Sequence, residues 1–174
     1  PLPVWARMLL FVYCEWADRA ERELVSLALV GEDPSVTFYC ERDPLPRRPT
    51  KFVREVVYPL LKRGEVAARD SAFSTRLREF VERVKDGDQQ RPCIAFDYDA
   101  DQRFFNQAYR GFGHGTHPVK PPVDYLDLNT LGVKYAVACE RFFHEHPQYA
   151  ATRHNALTDA CVASCAYLAT KARQ

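Results

Sequence analysis

Two strand-sized apolar runs near the start of the chain constrain the fold most: residues 8–15 (MLLFVYCE) and 23–31 (ELVSLALVG). Each is a continuous apolar stretch bounded by polar residues, the pattern of a buried strand. Leu24, Val25, Leu27, Leu29 and Val30 carry the second run. The EDPS stretch at 32–35 reads as a turn, with Pro34 setting φ, and 36–40 alternates as a third strand. The first strand is thus followed by a hairpin-linked pair.

The remainder alternates between helical and strand patterns. The Pro-rich stretch 44–49 is a loop, and Thr50 caps a helix expected through residue 64, with Phe52, Val53, Val56, Val57, Leu60 and Leu61 at helical spacing. Ser71 or Ser74 starts a second helix, with Phe73, Leu77, Phe80, Val81 and Val84 on its apolar face and Gly87 at its end. Residues 92–97 form a short strand ending in acid, and a helix is expected from Asp101 to Tyr109. Residues 110–122 hold three glycines, three prolines and two histidines and are irregular. A fifth strand is expected at 123–128, a helix at 131–144 burying Val133, Ala136, Val137, Cys139, Phe142 and Phe143, and a last helix at 155–173. In that helix Ala156, Ala160, Ala163 and Ala166 permit close packing on a sheet. Strands first, then alternating helices and strands, make one α/β domain over 174 residues. Residues 1–7 read as a leader ahead of it.

A net charge of +1 excludes a strong global field for drawing in nucleic acid. Arg47, Arg48, Lys51 and Arg54 form either a solvated helix face or a local basic rim. No apolar run reaches the roughly 18 residues needed to span a bilayer, so no membrane partner is expected. None of the six cysteines falls in a CxxC pair, and Cys14, Cys40 and Cys93 sit in apolar runs. All six read as reduced thiols in the cytoplasm rather than as zinc ligands.

Carboxylates end three of these elements: Glu15 after the first strand, Asp97, Asp99 and Asp101 after the fourth, and Asp159 one turn into the last helix. Hard oxygen ligands converging from several elements are what Mg²⁺ or Mn²⁺ takes. Five residues of α-helix turn through about 500°, so His154 and Asp159 share a site only if His154 precedes the helix. Asn155 as N-cap places it there, where an imidazole beside a metal ligand serves as general base.

The segment His154-Asn155-Ala156-Leu157-Thr158-Asp159-Ala160 resembles the third motif of the DEDDh 3′–5′ exonucleases. The first strand through Glu15 and the second run are similar to that family's opening, and Ile94–Phe105 to its middle motif; the small exoribonuclease branch related to ribonuclease T is the most similar. The resemblance implies a ribonuclease H-like α/β fold, with a mixed five-stranded sheet whose second strand is antiparallel and which is flanked by helices. It also implies two Mg²⁺ or Mn²⁺ ions held by four acids, single-stranded RNA 3′ ends as partner, nucleoside 5′-monophosphates as product, and a homodimer. By position Glu15, Asp101 and Asp159 match the acids and His154 the general base, with Asp97 and Asp99 rivals for the middle acid.

At the family's first Asp this chain has Tyr13. Strand residues two apart share a face, so Tyr13 and Glu15 point into the same site while Cys14 faces away. A phenol with a pKa near ~10 does not replace a carboxylate at pH 7. Asp18 is a poor stand-in beyond the strand. Two classes therefore stand open: an exoribonuclease weakened at Tyr13, and a non-catalytic nucleic-acid-binding or partner module. Trp16 is either a stacking platform for the terminal base or a core aromatic. The loop 110–117 (RGFGHGTH) would cover the substrate.

Overall fold

The computed structural model of the protein describes residues 8–85, 91–113 and 120–172. The apolar runs form β1 (Leu9–Trp16), β2 (Leu24–Gly31) and β3 (Thr37–Arg42). They are followed by β4 (Ala67–Ala68), α1 (Asp70–Val84), β5 (Cys93–Phe96), α2 (Asp99–Arg110), β6 (Asp124–Asp127), α3 (Val133–Glu145), α4 (Pro147–Ala150) and α5 (Ala156–Lys171). The strands make one mixed sheet in the order β4-β3-β2-β1-β5-β6. β2 runs antiparallel to both β1 and β3, whereas β1, β5 and β6 are mutually parallel.

The sheet has six strands rather than the five expected. The added strand is β4, two alanines paired with Glu41 and Arg42 at the sheet edge. Two residues carry no hydrophobic period, so nothing in the sequence marks them.

Alternation along β1 divides the core. Leu10, Val12 and Cys14 face one side and pack with Phe73, Leu77 and Phe80 of α1 and Phe104 and Phe105 of α2. Leu9 and Phe11 face the other, against Ala163, Ala166 and Tyr167 of α5 and Tyr135 of α3. Because successive side chains alternate, Tyr13 and Glu15 continue the Leu9–Phe11 face. α5 lies close to the sheet because its expected alanines, Ala156, Ala160, Ala163 and Ala166, are all buried. Among the described residues no helix is long and apolar enough to cross a membrane.

The helix expected at 50–64 is shorter, helical from Lys51 to Leu60, and winds as a π-helical turn over Val53–Val57 and a 3₁₀ turn over Tyr58–Leu60. Pro59 has no N–H to give the ladder, and the Tyr58 N–H bonds back to the Val53 carbonyl. Thr50 does cap it, accepting from the Val53 N–H at 3.2 Å. Phe52, expected on the buried face, is 49% exposed. In α3 the expected Phe143 is buried, but Tyr135 is buried as well, while Val133 is 78% and Val137 58% exposed. The helix expected from Ser71 or Ser74 begins one residue earlier, at Asp70, whose carboxylate takes two hydrogen bonds from Arg42 at 2.8 Å. Gly87, His114, His117 and residues 1–7 lie outside the described residues.

Candidate metal centre and cleft

The C-terminal ends of parallel β1 and β5 meet at one edge of the sheet. Phe11 pairs with Ala95, so two residues further on Tyr13 and Asp97 stand side by side. In α/β sheets this carboxyl edge is where ligands bind. A register shift between Glu15 and Trp16 opposite β2 ends the regular ladder here, a device that re-aims side chains beside functional sites. A cleft of about 980 Å³ opens over this edge, and Tyr13, Glu15, Trp16, Asp18, Asp97, Asp101, His154 and Asp159 all line it.

Within the cleft Glu15, His154 and Asp159 form a tight group, with one donor atom from each lying within 4.8 Å of the others. His154 does precede α5, as the spacing requires. Asn155 is the N-cap, its side-chain oxygen accepting from the Leu157 N–H at 3.0 Å and the Thr158 N–H at 3.4 Å. Its amide group donates to the Leu60 carbonyl at 2.9 Å and to the Tyr39 hydroxyl at 3.3 Å. His154 itself takes a left-handed backbone, φ 73°, uncommon for a residue other than glycine. Its N–H donates to Asp159 Oδ2 at 3.1 Å. The Phe52 ring stands edge-on to the imidazole at 5.0 Å.

The other acids are held differently. Asp101 is buried at the start of α2 and accepts the Cys14 N–H at 2.7 Å. Asp97 accepts the Tyr13 hydroxyl at 2.7 Å and the Tyr135 hydroxyl at 3.3 Å, while its carbonyl accepts from Asn129 at 2.7 Å. Asp99 is exposed and does not line the cleft. Asp18 lines it but is turned to Arg22, whose N–H it accepts at 3.2 Å. The phenol of Tyr13 therefore sits where a carboxylate would complete an acidic cluster, and it commits Asp97 to a neutral hydrogen bond.

Crowded acids in a closed edge resist ionisation. Burial, then Asp159 and Asp101, push the Glu15 carboxyl up to about 9. Burial raises Asp159 to about 7, against the lowering effects of the His154 N–H and Arg153. Asp101 is raised well above the carboxylate range by burial and then by Asp97. Burial followed by Asp97 drives the Tyr13 phenol far up, so it stays protonated. Burial and the Arg153 charge lower His154, which is neutral at pH 7.

The donor set suits one cation. Asp159 is 9% exposed, and its Oδ1 is buried with no hydrogen-bond partner among the described residues. A buried acceptor left unpaired is costly, and a cation against Glu15 and Asp159 would satisfy it. Glu15 and Asp159 are the residues that would hold such an ion.

The Trp16 ring runs parallel to Tyr98 at 5.6 Å and near-parallel to Phe104 at 5.8 Å, so it is part of an aromatic stack at the cleft wall. The exposed aromatics there are Phe52 and Tyr98, each 49% exposed. Lys51 lines the mouth, whereas Arg47, Arg48 and Arg54 are exposed beyond it. All six cysteines are free, as expected.

Sequence reasoning missed Tyr135, Asn129, Arg153 and Glu41. Arg153 pairs with Glu140 at 2.7 Å and covers the Phe143 ring. Glu41 is fully buried and accepts the Tyr39 hydroxyl, the Lys62 N–H and the Arg63 N–H at 2.7–2.9 Å. Its position, at the end of a recognised strand, was the only available signal. No family model matches the chain, and no curated protein matches it.

Proposed function

We propose that this protein is a divalent-cation-dependent 3′–5′ exoribonuclease of ribonuclease H-like fold, its turnover weakened by Tyr13. The carrying observation is the convergence of Glu15, His154 and Asp159 within 4.8 Å in one cleft, from three separate places in the sequence. The mixed sheet with antiparallel β2 and helices on both faces supports the fold reading. Glu15 and Asp159 would hold the cation, which when bound would supply Lewis-acid stabilisation of charge on the scissile phosphate.

The chain's own residues supply the rest. His154 is neutral and takes the proton of the attacking water. Its left-handed backbone and the bond to Asp159 fix where the imidazole stands. Phe52 and Tyr98 present exposed rings on which terminal bases stack, each contact worth about 1–3 kcal/mol. Lys51 offers a cation to the phosphate backbone at the mouth. Tyr13 weakens the site because its protonated phenol brings no charge and takes up Asp97. The resemblance calls for four acids; here the tight group holds two.

A second reading, a nucleic-acid-binding module without hydrolysis, is favoured by the 2.7 Å Tyr13–Asp97 hydrogen bond. A time course on 5′-labelled single-stranded RNA separates the two, run with Mg²⁺ or Mn²⁺ and with chelator. The exoribonuclease reading expects slow shortening from the 3′ end, stopped by chelator and by Asp159→Asn, and faster with Tyr13→Asp. RNA retention without shortening in both the natural chain and Tyr13→Asp supports the module instead. Neither binding nor shortening removes both.

A further inference from the structure

We propose that, in the RNA-free protein, His154 is itself a cation ligand beside Glu15 and Asp159, and that this mixed set selects a transition cation of the Zn²⁺ or Co²⁺ type over Mg²⁺. The proposal rests on the cation site of the preceding section and names its chemistry.

Three observations carry it. A ring nitrogen of His154 lies within 4.8 Å of the carboxylate oxygens of both Glu15 and Asp159, the span expected of donors around a single ion. The backbone of His154 is pinned in that place: φ is 73°, the N–H is tied to Asp159 Oδ2 at 3.1 Å, and the adjoining Asn155 is anchored to the Leu60 carbonyl. Because Oδ2 accepts the His154 N–H, the open acceptor of Asp159 is Oδ1, which is buried without a partner among the described residues, on a residue 9% exposed. Asp97 and Asp101 stand outside this group, with Asp97 Oδ2 accepting from two tyrosine hydroxyls and Asp101 Oδ1 from the Cys14 amide.

The donor types decide the ion. Mg²⁺ wants near-octahedral oxygen coordination and gives up water reluctantly. Imidazole suits Zn²⁺ and its neighbours. Three protein ligands with a position left open is the usual count at catalytic zinc. The same imidazole acts as proton acceptor once RNA occupies the cleft, so a tightly held transition cation keeps the RNA-free protein idle.

The test uses the full chain freed of metal by chelator. Zn²⁺, Co²⁺ and Mg²⁺ are titrated by calorimetry, with the visible absorption of Co²⁺ as a second readout. The proposal expects Zn²⁺ and Co²⁺ to bind at least about 10-fold more tightly than Mg²⁺. His154→Asn, which tolerates a left-handed backbone, weakens Zn²⁺ and Co²⁺ by about 10-fold or more and shifts the Co²⁺ band. It leaves Mg²⁺ affinity within about threefold. Glu15→Gln, which keeps every thiol, must weaken all three ions, separating this site from the cysteines. If His154→Asn does not fold, His154→Gly serves, with added imidazole restoring the Co²⁺ band. Equal affinity for Mg²⁺ and Zn²⁺, or a Co²⁺ band and affinity unchanged without the imidazole, overturns the proposal. Those results leave the nucleolytic reading standing, since that one falls only if RNA is not shortened with any cation.

Discussion

Replacing Glu15 by glutamine tests how strongly the closed end of β1 resists charge. Burial and the neighbouring Asp159 and Asp101 raise the folded-state pKa of Glu15 to about 9, against about 4.3 in an unfolded chain. A carboxyl with a raised folded pKa stabilises the fold fully below its unfolded pKa, and that contribution is lost as pH rises through the folded value. Between pH 6.5 and 8.5 Glu15 is ionised when unfolded and protonated when folded. Each pH unit then removes about 1.4 kcal/mol of stability. Glutamine resembles the protonated acid and has no such slope. In chelator, Glu15→Gln should therefore gain on the natural chain by about 2–3 kcal/mol across those two units. That corresponds to a melting-temperature advantage about 4–12 °C larger at pH 8.5 than at pH 6.5 for a domain of this size. The buried thiols are present in both proteins and cancel. Thermal melts followed by circular dichroism read the difference. A saturating divalent cation should flatten the profile of the natural chain, since it compensates the ionised carboxylate, and should do little for Glu15→Gln. Parallel pH profiles in chelator would refute the reasoning: Glu15 would then be ionised in the fold and the cleft open to water.

Three further substitutions probe the frame of the site. Glu41→Gln sets an amide NH₂ against the N–H of either Lys62 or Arg63, which the two carboxylate oxygens accept separately, and should cost about 2–3 kcal/mol in urea unfolding. Asn155→Ala removes the α5 cap, with an expected loss of about 1–2 kcal/mol; it also frees the Leu60 carbonyl, so cation affinity measured by calorimetry should fall with it. Val137→Lys, on the outward face of α3, should change stability by no more than about 0.5 kcal/mol. A cost of several kcal/mol there would restore the buried face expected from the sequence.

The strands and the acid positions were legible because they depend on local pattern. β1 and β2 are continuous apolar runs, and the His154–Asp159 spacing with an Asn between reports a loop, a cap and a first helical turn. β4 was not legible, since two edge alanines carry no period. Phe52 and Val137 were misplaced for a different reason. Helical spacing identifies an apolar stripe but not what covers it: the helical segment at 51–60 keeps Phe52 exposed, and α3 packs on α5 with Tyr135 buried and Val137 outward. Among the site residues, Tyr13 was visible as a departure from a pattern. Its hydrogen bond to Asp97 depends on the parallel register of β1 and β5, two strands separated by about half the chain, and Tyr135 joins them only through the packing of α3. The Glu41 carboxylate was missed because an acid at a strand end normally faces water, and its burial depends on the turn at Lys62 and Arg63 folding back over it.

The central claim is that Tyr13 limits this cleft to one cation. Calorimetric titration with Mn²⁺, comparing the natural chain with Tyr13→Asp at pH 7.5, addresses it directly. The account predicts one ion per chain for the natural protein and a second ion, with tighter overall binding, once the aspartate stands beside Glu15 and releases Asp97. Two ions in the natural chain, or a Tyr13→Asp titration that overlays it, would contradict the claim.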